Sequence, residues 1–179
     1  GAFLSLINVN VKNLGAAIDE VIASYGDQCL DDDEVLIQPM LSNVAFSGVA
    51  FSHDPNTCSP YRVITWTGGS DTAAVTGGYG GKTWQQAALS KVPAPKHLIS
   101  VIALLEEMLL LFGGQPIDCE FAISMREGRE CLWLLQVRPL LLARDPESSD
   151  DQFVRLERIE NQIELGLGLK PFVMGKHLC

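Results

Sequence analysis

Two residue pairs could do chemistry together: Asp118 and Glu120 in PIDCEFAI, and Gln136 and Arg138 in LWLLQVRPL. Each pair is spaced i, i+2 in a stretch rich in strand-forming residues, and that period puts both members on one face of a sheet. The segment between them, SMREGRE, is polar with Gly128 at its centre, so the two stretches are predicted to pair as a hairpin. Two acids, an amide and a guanidinium would then share one patch. Carboxylates hold Mg²⁺, and a guanidinium clamps a phosphate through two parallel bonds. The pattern fits a metal–nucleotide site. It also fits a surface sheet face carrying a satisfied acid–arginine ion pair, the commoner meaning of such a charge pattern.

The elements that must position this patch alternate along the chain. Asn13 is placed to cap a helix through LGAAIDEVIASY, with Leu14, Ile18, Val21, Ile22 and Tyr25 on one face and Gly26 as its stop. The acidic run at 31–34 lacks the alternation and central glycine of a Ca²⁺ loop and reads as a solvated turn. EVLIQPM reads as a strand halted by Pro39. VAFSGVAFS reads as a strand in which Gly48 marks a bulge or a close approach. DPNTCSP is turn chemistry, and YRVITW is a further strand. His97 to Phe112 forms an apolar helix ended by Gly113-Gly114, and the hairpin follows. After Arg144 the composition shifts to DPESSDDQ. FVRLERIENQIEL then reads as an amphipathic helix with Phe153, Leu156, Ile159 and Ile163 on one face. No regular βαβ rhythm emerges, so the expected class is α+β with a mainly antiparallel sheet flanked by helices.

Composition narrows the function. The chain has 179 residues, 47% of them hydrophobic, and a net charge of −9. That charge argues against a nucleic-acid backbone as partner, which would need a basic face. No apolar run reaches membrane-spanning length; the longest, LISVIALLEEMLLLF, is broken by Glu106 and Glu107. The five cysteines are odd in number and lack C-x-x-C spacing, which suits reduced thiols and a cytoplasmic protein. The three histidines are scattered, so no zinc site is expected.

The run GGYGGKT invites comparison with a phosphate-binding P-loop. That motif, G-x-x-x-x-G-K-[ST], requires glycine at position 76, where this chain has Thr76. The helix expected after it is soon broken by Pro93 and Pro95. The glycine-rich stretch 67–83 reads instead as a mobile loop with one exposed lysine, Lys82, of a kind that can close over a ligand.

Taken in order, GAFLSLINV, VLIQPMLSNVAFSGVAFSHDP, QPIDCEFAI and LWLLQVRPL resemble the nucleotide-binding domain of the phosphoenolpyruvate synthase and pyruvate phosphate dikinase family. The resemblance covers roughly residues 1–142 and implies an ATP-grasp fold. It implies that Glu120 and Gln136 coordinate the metal ions on ATP, that Arg138 contacts the phosphates, and that Asp118 lies beside them. It also implies that Gln38, Pro39 and Met40 border the adenine. Two departures stand out. The family's FTRDP-like motif is FSHDP here, with His53 in place of the arginine, and the family's Gly-Leu-Gly-Glu segment is replaced by TGGSDTAAVTGG.

The expectation is therefore the C-terminal part of an ATP-grasp domain over residues 1–144, followed over 145–179 by a linker and helix leading to a neighbouring domain. Gly1 has no methionine before it and the chain stops at LKPFVMGKHLC, which suggests a piece of a longer polypeptide. The partners implied are the N-terminal ATP-grasp half, with its phosphate-facing lysine and arginine, and a separate phosphohistidine domain. With ATP and Mg²⁺ as cofactors, the whole enzyme would pass a phosphoryl group through the histidine to pyruvate or a similar acceptor, and this chain would be inactive alone. The alternative is a non-catalytic nucleotide-binding or scaffold module that retains the fold.

Overall fold

A computed structural model describes residues 4–26, 30, 32–68 and 81–167. The chain divides into two compact units, Gly1–Ser42 and Asn43–Cys179.

In the first unit the Asn10 side chain accepts a hydrogen bond from the Lys12 amide, starting a 3₁₀ turn, Val11–Asn13, that runs into helix α1, Leu14–Ala23. The expected cap at Asn13 is thus made three residues earlier; Asn13 itself makes no side-chain cap bond. Leu14, Ile18, Val21 and Tyr25 are half-buried, whereas Ile22 is exposed. The Leu4 amide donates to Ser24 Oγ, and the Tyr25 hydroxyl donates to the Glu34 carbonyl, tying the irregular flanks to the helix. The turn expected near residues 31–34 is present, with the Leu30 amide donating to the Asp33 carboxylate and the Asp33 amide to the Leu30 carbonyl. The strand expected over EVLIQPM is not formed among the described residues: residues 33–42 carry no ladder pairing there. Local β-propensity does not make a strand without a partner edge, and Pro39 removes one of the donors a ladder would use.

The second unit is α+β. Its five strands are β1 (Val44–Phe51), β2 (Tyr61–Gly68), β3 (Lys82–Ala87), β4 (Ile117–Arg126) and β5 (Arg129–Pro139). They form one antiparallel sheet in the order β3-β2-β1-β4-β5. Helix α2, Ile99–Leu111, packs on β1, β4 and β5. Its Val101 and Leu105, with Leu98 from the 3₁₀ turn just before it, meet Ala50, Ile64, Ile117, Cys119, Phe121 and Ile123 in the core. Each fully buried aliphatic side chain contributes roughly 1.5–3 kcal/mol, enough to hold a helix whose far end leaves Leu110 and Leu111 exposed. The alternate residues Asp118, Glu120, Ala122 and Ser124 must therefore face the other way, and the candidate patch lies on the sheet face opposite α2.

β3 is a correction to the sequence reading, which expected a helix after Gly-Lys-Thr. Residues 82–87 pair with β2 from Trp66↔Lys82 to Tyr61↔Ala87, and Trp84 packs against the core. A P-loop needs a helix there, so the strand removes that reading further. The rest of the glycine-rich stretch, 69–80, lies outside the described residues. Gly48 is a close approach rather than a bulge. An added Cβ would collide with the Thr65 carbonyl oxygen and stand 2.9 Å from Trp66 Cα, while the β1 irregularity falls between Val44 and Phe46. Helix α3 spans Ser149–Leu167 and starts earlier than its apolar pattern implied, with the Ser148 hydroxyl accepting from the Asp151 amide. It packs near β3, where Lys91 sits over the Phe153 ring, and Phe153 and Leu156 are half-buried. Ile159 and Ile163 are exposed. Among the described residues no helix is long and apolar enough to cross a membrane, and Cys58, Cys119 and Cys131 are free thiols.

Candidate functional site: the β4–β5 hairpin

The hairpin closes through a two-residue turn, Glu127-Gly128, with φ of 50° and 76°. Two positive φ angles match the right-handed twist of the flanking strands, and glycine takes the second at no steric cost. From this turn the register runs to Glu120↔Gln136 and Asp118↔Arg138, so the four side chains stand on two adjacent same-face rungs.

A bulge sets that alignment. Phe121 pairs with Leu134 and Glu120 with Gln136, leaving Leu135 as the extra residue on β5. Near the turn, Leu132 faces the core opposite Ile123; beyond the bulge, Val137 faces it opposite Cys119. The bulge switches the phase of β5, and so turns Gln136 and Arg138 onto the face of Glu120 and Asp118. Without it, the i, i+2 pair on β5 would point to the core side.

Within the patch, Arg138 Nε donates to both carboxylate oxygens of Asp118, at 2.8 and 3.0 Å. The Asp118 side chain is 7% exposed and that of Arg138 is 57% exposed. The acid is thus a buried anchor and the guanidinium an exposed head held by its inner nitrogen. Among the described residues, Nη1 and Nη2 of Arg138 carry no hydrogen bond, so two donors that lie in one plane stay open to solvent. Glu120 is half-buried and Gln136 exposed. Beside them, burial and the Asp118 carboxylate push the Cys119 thiol up to about 11, which keeps it protonated and unreactive.

The donor set suits a hard cation only in company. Among the described residues no group of three or more His, Cys, Asp and Glu side chains is placed to hold a metal by itself. Asp118 is engaged by Arg138, leaving the Glu120 carboxylate and the Gln136 amide oxygen. One carboxylate and one amide, completed by phosphate oxygens and water, is a fit for Mg²⁺, which usually keeps several waters and shares substrate phosphates.

Behind the patch lies a network that the sequence reading missed. Arg62 on β2 donates through Nε and Nη2 to the Glu106 carboxylate of α2, at 2.5 and 3.1 Å, and through Nη1 to the Ser52 carbonyl at 2.7 Å. Ser52 Oγ accepts from the Ile117 amide at 2.9 Å and lies 3.0 Å from His53 Nδ1. His53 is buried, and burial, with the nearby Arg62 charge, lowers its pKa below 6.5. Its presence in FSHDP was legible; that it faces a serine and stays neutral was not.

Gln38, Pro39 and Met40, expected to border an adenine, lie exposed in the irregular segment of the first unit. His97 packs against the rings of Phe46 and Trp66, a structural role. His177 lies outside the described residues.

Compared with known proteins, the chain matches no family profile and no curated sequence.

Proposed function

We propose that the hairpin is the phosphate and metal end of an ATP site, in an ATP-grasp-type domain of a phosphotransferase similar to phosphoenolpyruvate synthase and pyruvate phosphate dikinase. The observation that carries this reading is the pairing of Asp118 with Arg138 and Glu120 with Gln136 on adjacent rungs, with the outer nitrogens of Arg138 open.

Each residue then has a distinct task. Asp118 fixes the guanidinium through Nε and leaves Nη1 and Nη2 to take two phosphate oxygens. Glu120 and Gln136 would hold Mg²⁺, which would supply neutralisation of phosphate charge. The rate in such chemistry comes from positioning and charge stabilisation rather than from a covalent step by these side chains. A hydrogen-bonded ladder is a rigid support for that purpose. By the same reading, a phosphohistidine domain of the same cytoplasmic polypeptide carries the phosphoryl group onward to pyruvate or a similar acceptor.

A module that keeps the fold without turnover would show the same Asp118–Arg138 pair, so the test must separate binding from stability. In the full-length protein, Mg-ATP is expected to raise the melting temperature, as any ligand of the native state does. Glu120→Gln is expected to abolish that rise while the nucleotide-free melting temperature holds or increases, because a carboxylate pair repels itself until metal arrives. Retained stabilisation by Mg-ATP together with a lowered nucleotide-free melting temperature would assign Glu120 to structure and defeat the proposal.

A further inference from the structure

We infer that Ser52 is a positioning residue for the patch: its hydroxyl replaces a missing ladder bond at the start of β4 and so fixes Asp118 and, through it, Arg138. The inference rests on the nucleotide reading for its consequence in binding, but its geometric part stands apart from it.

In an antiparallel ladder, residues of a hydrogen-bonded pair exchange two N–H···O bonds. Ser52 and Ile117 follow the last β1–β4 pair, Phe51↔Asp118, and make only the first: the Ser52 amide donates to the Ile117 carbonyl at 3.0 Å. The reciprocal acceptor, the Ser52 carbonyl, is taken by Arg62 Nη1. The Ile117 amide instead donates to Ser52 Oγ. Both residues are fully buried, so without that hydroxyl the Ile117 amide would have neither protein nor water as partner. Oγ, which accepts from Ile117, also lies 3.0 Å from His53 Nδ1, as donor or acceptor according to the imidazole tautomer. The orientation of Ser52 is therefore held from both sides. Asp118 is the next residue along β4, and its carboxylate is what aims the guanidinium.

The experiment compares Ser52→Ala and the near-isosteric Ser52→Cys, whose thiol is a weak acceptor, with Ser52→Thr, which keeps the hydroxyl. Two readouts are taken on the full-length protein below the melting temperature of each variant. The first, without nucleotide, is the Arg138 Nε–H signal in ¹H–¹⁵N spectra. It should be sharp and protected from exchange in the wild type and in Ser52→Thr, and shifted and rapidly exchanging in Ser52→Ala and Ser52→Cys. The second is Mg-ATP affinity by calorimetry, expected to fall about tenfold in Ser52→Ala and Ser52→Cys and to recover in Ser52→Thr, the size seen for residues that orient metal ligands. An unchanged Arg138 signal in folded Ser52→Cys overturns the inference whatever the affinities. A changed signal with no Mg-ATP binding by the wild type leaves the positioning intact and overturns the nucleotide reading.

Discussion

Arg138 is the residue at which ion pair and phosphate clamp make different predictions. Replacing it with methionine leaves the Asp118 carboxylate, 7% exposed, without its partner. Stranding one member of a fully buried pair costs about 3–5 kcal/mol, whereas an exposed pair is worth about 0–1 kcal/mol. With the arginine side chain 57% exposed, water reaches the pair from one side. The expected loss for Arg138→Met is therefore about 1–2 kcal/mol, or a fall of roughly 2–8 °C in melting temperature for a protein of this size. Binding should suffer more. Two charge-assisted bonds from Nη1 and Nη2, together worth about 3 kcal/mol, correspond to roughly 100-fold in Mg-ATP affinity. Arg138→Lys separates the two roles. A lysine ammonium can still pair with Asp118, so stability should stay within about 1 kcal/mol of the wild type. It cannot hold the acid and offer a planar fork at once, so affinity should still fall by more than about tenfold. Urea denaturation gives the stabilities and calorimetry with Mg-ATP gives the affinities. An Arg138→Lys protein that binds Mg-ATP as the wild type does would refute the fork argument. An Arg138→Met protein that loses stability yet binds normally would reduce the pair to a structural contact.

Two further outcomes test the frame behind the patch. Gly48→Ala should cost about 2–3 kcal/mol in urea denaturation, because its methyl meets the backbone of Thr65 and Trp66, which cannot yield without opening the β1–β2 ladder; wild-type stability would contradict the close approach. Burial and Arg62 lower the pKa of His53 from 6.5, so between that lowered value and 6.5 the unfolded chain binds more protons than the folded one. This contribution to stability is complete above 6.5 and is lost as pH falls through the lowered value; His53→Asn should flatten the slope of urea midpoint against pH in that window, and an unchanged slope would show that His53 does not titrate in this way.

The hairpin was legible because its signals are local: period-2 pairs, strand formers on both sides and a glycine in the turn. The bulge at Leu135 was not, since nothing in LWLLQVRPL marks which leucine is extra, although without it the pairs would not share a face. β3 was obscured by the glycines before it and the prolines after it; KTWQQA has few strand formers and takes its conformation from pairing with β2. EVLIQPM shows the converse, a local preference with no ladder partner among the described residues. The Arg62–Ser52–Ile117 network joins residues 10 and 65 positions apart, a distance at which no spacing rule operates. The ATP-grasp reading itself came from resemblance. The structure supplies the α+β antiparallel architecture and the adjacent rungs.

The most direct test is to ask where the metal on the nucleotide sits. With Mn²⁺ replacing Mg²⁺ on ATP, bound to the isotopically labelled full-length protein, paramagnetic broadening reports the residues near the ion. The Gln136 side-chain amide and the Glu120 backbone amide are expected to broaden first and Arg138 next, with Arg129 at the far end of β5 least affected. Broadening centred away from this hairpin, with Glu120 and Gln136 left sharp in a protein that binds Mn-ATP, would contradict the account.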